Sequence, residues 1–132
     1  MGRYMLDTDM ASYLIRGDHP EVTDTFSRSF RNVCISAITL AELRYGAAKR
    51  NSHLLTQKIQ AFCDLVQCID WTGNAAEVYA KLRTELEANG NPIGSMDMLI
   101  AASALSEGTV LVTNNNAHFS RIKGLKLENW CK

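Results

Sequence analysis

Apolar runs of strand length recur along the chain at "RYMLD", "NVCIS", "LVQCID" and "TVLVT", separated by segments with helical periodicity. That alternation predicts a parallel α/β sheet with helices packed on it. One helix carries Leu55, Ile59, Phe62 and Val66 at steps of four and three. The stretch "GNAAEVYAKLRTELEANG" places Ala75, Val78, Tyr79, Leu82 and Leu86 on one stripe, and Asn89-Gly90 ends it. A third helix is expected from about Ser95 to Ser106 through "MDMLIAASALS", whose small and apolar residues suit close packing on the sheet. The final "LKLENWC" predicts a short edge strand, with Trp130 closing the core. Neither repeat nor linker interrupts the pattern, so residues 1–132 are expected to form one domain.

Composition narrows the function more by exclusion than by suggestion. With 132 residues and 46% hydrophobic content the chain can bury a sizeable core. Its 14 Lys and Arg balance 14 Asp and Glu, so it lacks the basic excess that holds nucleic acid by bulk charge, and a polyanion must be gripped locally. No apolar run approaches a membrane span and no signal core follows the N-terminus, which leads to the expectation of a cytoplasmic protein. Gly2 would suit N-myristoylation only with Ser or Thr where Leu6 stands. Cys34, Cys63, Cys68 and Cys131 contain no C-x-x-C pair, and His19, His53 and His118 show no zinc-ligand spacing; Cys34 and Cys63 read as small core residues.

The acids carry the chemistry. Asp7 ends the first strand in "MLDTD", Glu42 follows the second in "CISAITLAELRYG", and Asp97 begins a helix after "NGNPIG". Chain segments leaving the carboxyl ends of a doubly wound sheet gather at one edge, near the topological switch point, so three distant acids can meet there. Each also has a structural explanation. Asp7 suits an N-cap, Thr39-x-x-Glu42 fits a capping box, and Asp97 sits two residues after a possible Ser95 cap, at the positive end of a helix dipole. Carboxylates sharing one site, however, repel unless a cation neutralises them. A hard divalent ion held by one or two carboxylates, with open positions for phosphate, resolves that conflict.

The quoted segments "MLDTD", "ISAITLAELRYGA", "GNPIGSMDMLIAASAL" and "VLVTNNNAHFSRIKGL" resemble, in order and spacing, the four motifs of PIN-domain ribonucleases, most closely the VapC toxins of bacterial toxin–antitoxin pairs. The resemblance spans essentially the whole chain. It implies an α/β/α sandwich with a short, mostly parallel central sheet, and Mg²⁺- or Mn²⁺-dependent endoribonuclease activity. It makes Asp7, Glu42 and Asp97 the metal ligands. Two positions depart from the family pattern: Asn115 stands where many PIN domains carry a fourth acid, and Asp9 where related toxins usually carry Asn. Asp9 is expected to face the first turn of the helix or partly to restore the lost charge.

Water attack on a phosphodiester then needs metal ligation by Asp7 and Asp97, ligation or water activation by Glu42, and support from Thr113 and Asn115, with Thr8 bonding to the site. Arg44, Lys81, Arg83 and Arg121 are candidate RNA contacts, each equally readable as part of a solvated helix face. The resemblance further implies structured RNA as substrate, commonly a transfer RNA anticodon stem-loop and in close relatives that of the initiator. It also implies a homodimer and a VapB-type antitoxin, with DNA met only through that antitoxin. An antitoxin tail could cover Tyr13, Leu14, Phe26 and Phe30, residues equally suited to a core. Two alternatives stay open. "MLDTD" and "VLVTNN" also read as haloacid-dehalogenase-type phosphatase motifs, although only Lys123, Lys126, Lys132 and Glu128 follow Thr113 as candidates for its remaining groups. Asn115 suits a PIN-like module that binds RNA or protein without cutting.

Overall fold

The computed structural model describes residues 3–131; Gly2 and Lys132 lie outside them. Strands β1 (Tyr4–Leu6), β2 (Val33–Ser36), β3 (Gln67–Ile69), β4 (Val110–Val112) and β5 (Lys126–Glu128) form one parallel sheet in the order β3-β2-β1-β4-β5. The helices are α1 (Thr8–Arg16), α2 (Pro20–Ser29), α3 (Ala37–Lys49), α4 (His53–Cys63), α5 (Gly73–Ala88), α6 (Ser95–Glu107) and the short α7 (Asn116–Phe119). All five expected strands are present, including the edge strand from "LKLENWC".

Strand alternation distributes the core to the two sides of the sheet. Met5, Cys34 and Leu111 point to a layer with Leu82, Leu86, Met98, Ile100 and Phe119, from α5, α6 and α7. Their neighbours Leu6, Val33, Ile35 and Val112 face Met10, Val22, Leu43, Ile59 and Phe62, from α1 to α4. The result is the expected α/β/α sandwich. Ala101, Ala102 and Ala104 are fully buried and let α6 lie close to α5 and the sheet. Trp130 closes the second layer, its ring edge-on to Tyr4 at 5.5 Å.

Three local readings change. Helix α4 ends at Cys63, so Val66 lies beyond it in the turn toward β3, where it still packs on the core. Gly94, not Ser95, is the N-cap of α6. Thr39 and Glu42 form no capping box, because Ser36 caps α3 by accepting the Ile38 amide and leaves both residues inside the helix. Glu42 is thereby released from a purely structural explanation. All four cysteines are free thiols; Cys34 is buried and its thiol is pushed up to about 11 by that burial, whereas Cys63 is only half-buried.

Candidate active site

The strand order reverses between β1 and β4, and that switch point is where a doubly wound sheet opens a crevice at its carboxyl ends. Asp7 and Thr113 leave the two strands side by side. The Asp7 amide donates to the Val112 carbonyl at 3.0 Å, and the Thr113 amide to Glu128 at 2.9 Å. Asp7 does cap α1, since its Oδ1 accepts the Met10 amide at 2.9 Å. Capping and chemistry coexist in this residue.

Asp7 is only 5% exposed. Desolvation pushes its carboxyl up to about 6; the Thr113 hydroxyl and the Met10 amide hold it back, and Asp9 and Asp97 push it further. Thr113 Oγ1 accepts the Asn115 amide at 2.9 Å, which leaves its own proton for the carboxylate. Asp97, in the first turn of α6, is also raised, mainly by burial, with His118 opposing and Asp9 adding to the shift. Asp9 lies exposed in the first turn of α1 and adds its charge to both. Asp7, Asp9 and Asp97 therefore share one electrostatic site although far apart in sequence.

Glu42 joins from the other side through Thr8. The Thr8 hydroxyl donates to Glu42 Oε1, and Thr39 Oγ1 stands 3.4 Å from Thr8 Oγ1. Successive residues of one motif thus serve two acids: Asp7 turns toward β4, and Thr8 holds Glu42 on α3. Asn115 and His118 complete the rim. The Asn115 side-chain Nδ2 and His118 Nδ1 lie at hydrogen-bond distance, 2.9 Å, and the same His118 Nδ1 lies 3.9 Å from Asp97 Oδ2. His118 is a site residue that pairwise histidine spacing missed. Its signal is the i, i+3 interval from Asn115 across α7, which turns both side chains to one face.

Among the described residues, no three His, Cys, Asp or Glu side chains close into a ready-made metal cage. The donor set nevertheless fits a hard ion. It consists of buried or half-buried carboxylates that raise one another's proton affinity, and Mg²⁺ is held through one or two such groups while keeping its waters. The candidate cations make their contacts with groups other than these acids. Arg44 donates to Gln60 Oε1 at 3.0 Å, Arg83 is paired with Glu87 and Tyr79, and Arg121 donates to the Pro92 carbonyl in the loop leading to α6. Lys81 lines a shallow groove with Val78, Leu105 and Ile122. Tyr13, Leu14, Phe26 and Phe30 are half-buried, and Leu14 and Phe26 line an apolar groove with Phe62 and Leu65 between α1, α2 and α4. Lys123 stands beside Glu85 over α5, and Lys126 lies on the edge strand β5.

The comparisons agree with this geometry. The PIN domain profile matches residues 4–125. Ribonuclease VapC2 of Rickettsia felis is 40% identical, with 98% of each chain covered. The tRNA(fMet)-specific endonuclease VapC of Salmonella typhimurium is 36% identical over 99% of this chain and all of its own length. Among solved structures, VapBC2 from Rickettsia felis bound to a DNA fragment from their promoter superposes with a TM-score of 0.90 at 38% identity, covering 96% of this chain and 98% of the other. Motif order, the acids at the switch point and whole-length similarity converge: the chain belongs to the PIN-domain family, among its VapC ribonucleases.

Proposed function

We propose that this chain is the toxin of a VapBC-type pair, a divalent-metal-dependent endoribonuclease that cuts transfer RNA in the anticodon stem-loop, with the initiator tRNA as its preferred target. The observation that carries the reading is the buried Asp7 carboxyl at the switch point, raised chiefly by burial and further by Asp9 and Asp97, next in the chain to the Thr8 that holds Glu42. The name of the Salmonella typhimurium relative, a tRNA(fMet)-specific endonuclease, supports the substrate. The Rickettsia felis complex, in which VapB and VapC are bound together to promoter DNA, supports a VapB-type antitoxin as partner and contact with DNA through it. A homodimer belongs to the same reading. No helix among the described residues is long and apolar enough to cross a membrane.

The chemistry follows from charge placement. Asp7 and Asp97 would hold Mg²⁺ or Mn²⁺, which when bound neutralises a phosphate and lowers the pKa of a water. Thr113 and the Met10 amide fix the Asp7 carboxyl, so its orientation does not depend on substrate. Glu42 engages Thr8 through Oε1, and its other oxygen is free to orient the attacking water and accept its proton. The water oxygen bonds to phosphorus as the bond to the 3′ oxygen breaks, and that oxygen takes a proton from solvent, leaving a 5′-phosphate and a 3′-hydroxyl. No 2′-hydroxyl is consumed. Asn115 lowers the charge of the site by one relative to an aspartate there, which favours one tightly held ion over two.

The test is incubation of the purified, antitoxin-free chain with total bacterial tRNA in Mg²⁺, Mn²⁺ or EDTA, followed by sequencing of new 5′-phosphate ends. Cuts confined to the initiator anticodon stem-loop and abolished by EDTA are expected. Intact tRNA in every condition, from folded protein, would transfer the reading to a binding-only module, the alternative that Asn115 favours.

A further inference from the structure

The ribonuclease reading leaves open how a chain of zero net charge grips RNA, and the four cations first considered are either engaged elsewhere on the protein or set on α5. One segment breaks the charge balance. From Leu43 to Cys63 the chain carries Arg44, Lys49, Arg50 and Lys58 and no acid, leaving the remainder with four more acids than bases. These residues lie on the α3–α4 hairpin, just after Glu42, which α3 holds at the active site.

On α3 and its C-cap Arg50, the residues Glu42, Tyr45, Gly46, Lys49 and Arg50 follow the i, i+3, i+4 rule and form one stripe running along the helix from Glu42. At 1.5 Å per residue it extends about 12 Å from Glu42. Tyr45 is 65% exposed, an unusual state for an aromatic on a helix, and Lys49 Nζ lies 6.0 Å from its ring centroid. Gly46 leaves open space, since a Cβ there would meet nothing within 4 Å. Beside the stripe runs a groove of about 220 Å³ that reaches Thr8 and Glu42 at the site and has Arg16 and Arg50 on its walls. Arg16 is already positioned: its Nε donates to Asp18 at 2.9 Å, and its guanidinium lies 5.4 Å from the Tyr13 ring centroid. Among the described residues Arg50 makes no side-chain hydrogen bond or ion pair, so its full charge is available to a ligand.

We propose that the α3 stripe is the RNA platform of this enzyme, with an unpaired base next to the scissile phosphate stacking on Tyr45 and the flanking phosphates held by Lys49 and Arg50, with Arg16 across the groove. The proposal rests on the ribonuclease reading above and adds the surface that presents the strand to Glu42. An exposed aromatic set among cations is the arrangement that binds single-stranded RNA, because every base offers a π-face and every linkage a charge. It directs the enzyme to the loop of a stem-loop, where bases are unstacked.

The experiment measures binding of a fluorescein-labelled anticodon stem-loop RNA by anisotropy in EDTA, where cleavage is blocked, for the full chain and for Tyr45→Ala, Tyr45→Phe and the double variant Lys49→Gln/Arg50→Gln. Arg28→Gln on α2, an exposed cation paired with Asp24, is the control, and thermal melts verify folding. The Tyr45→Ala variant should weaken binding about tenfold while Tyr45→Phe keeps wild-type affinity, as stacking requires. The double variant should weaken it by at least tenfold and reduce the slope of log K against log salt by about 1.4, two single-strand contacts' worth. Arg28→Gln should stay within twofold of wild type. In cleavage assays with Mg²⁺, Tyr45→Ala should raise KM and leave kcat nearly unchanged. Wild-type binding with unchanged affinity in the α3 variants would overturn the proposal and leave the ribonuclease reading standing, including where those variants lose a protein partner instead. A wild-type chain that neither binds nor cuts any tRNA would overturn both.

Discussion

Replacing Asp7 with Asn should destroy activity and yet stabilise the metal-free protein. The folded-state carboxyl is raised from the ordinary 3.8 to about 6, chiefly by burial. Because the folded value lies above the unfolded one, Asp7 favours folding only while protonated: that contribution is fully present below pH 3.8 and is lost as pH rises through about 6. The gap corresponds to about 3 kcal/mol against folding at pH 8, at 1.36 kcal/mol per pH unit. Asn removes the charge and remains a good N-cap for the Met10 amide. It forfeits about 1 kcal/mol from a weakened bond to the Thr113 hydroxyl. A net gain of about 2 kcal/mol, or about 6 °C in Tm for a domain of this size, is expected at pH 8 in EDTA, shrinking to nothing or to a small loss at pH 4. Urea melts at the two pH values measure it directly. Adding Mg²⁺ should stabilise the wild-type chain by binding linkage and leave Asp7→Asn unmoved. A variant destabilised equally at both pH values would refute the reasoning, since Asp7 would then be an ordinary capping residue without a desolvated charge.

Other substitutions probe the remaining parts. Thr8→Val frees Glu42, and since a hydrogen bond to a charged group is worth about 1.5–3 kcal/mol, kcat should fall about ten- to hundredfold with KM little changed in steady-state cleavage assays. Asn115→Asp restores a fourth acid next to Thr113; calorimetric titration with Mn²⁺ should show tighter binding, and urea melts in EDTA lower stability above pH 6, where the added charge repels Asp7 and Asp97. Phe119→Ala empties a fully buried site against the sheet and should cost about 3–5 kcal/mol by denaturant melts, with cleavage per folded molecule reduced because α7 carries His118.

The sheet is legible because its central strands β1, β2 and β4 are short, apolar runs, and the α5 stripe because Asn89 and Gly90 stop it where the periodicity ends; Gly90 adopts a φ of 69°. The sequence pattern overextends α4 because Val66 continues the apolar spacing after the backbone has turned; periodicity registers burial, not hydrogen bonding. The Thr39-x-x-Glu42 pattern misled as a cap because the chain enters α3 one turn earlier, at Ser36, whose hydroxyl also reads as the end of β2. At the site, Asp7 and Asp97 could be placed by topology alone, since a parallel order with a switch point brings strand ends together. Arg16, Arg50 and His118 could not. Their proximity to the acids depends on how α1, α3 and α7 pack, and no local spacing encodes that.

The most direct test of the central claim is the end chemistry of one cleaved RNA. Purified initiator tRNA should be cut by the wild-type chain in Mg²⁺ to a 5′-phosphate and a 3′-hydroxyl, with no product in EDTA or from Asp7→Asn. A 2′,3′-cyclic phosphate, or the same cut in EDTA, would contradict the account, because the scission would then run through the RNA's own 2′-hydroxyl and owe nothing to the carboxylates at the switch point.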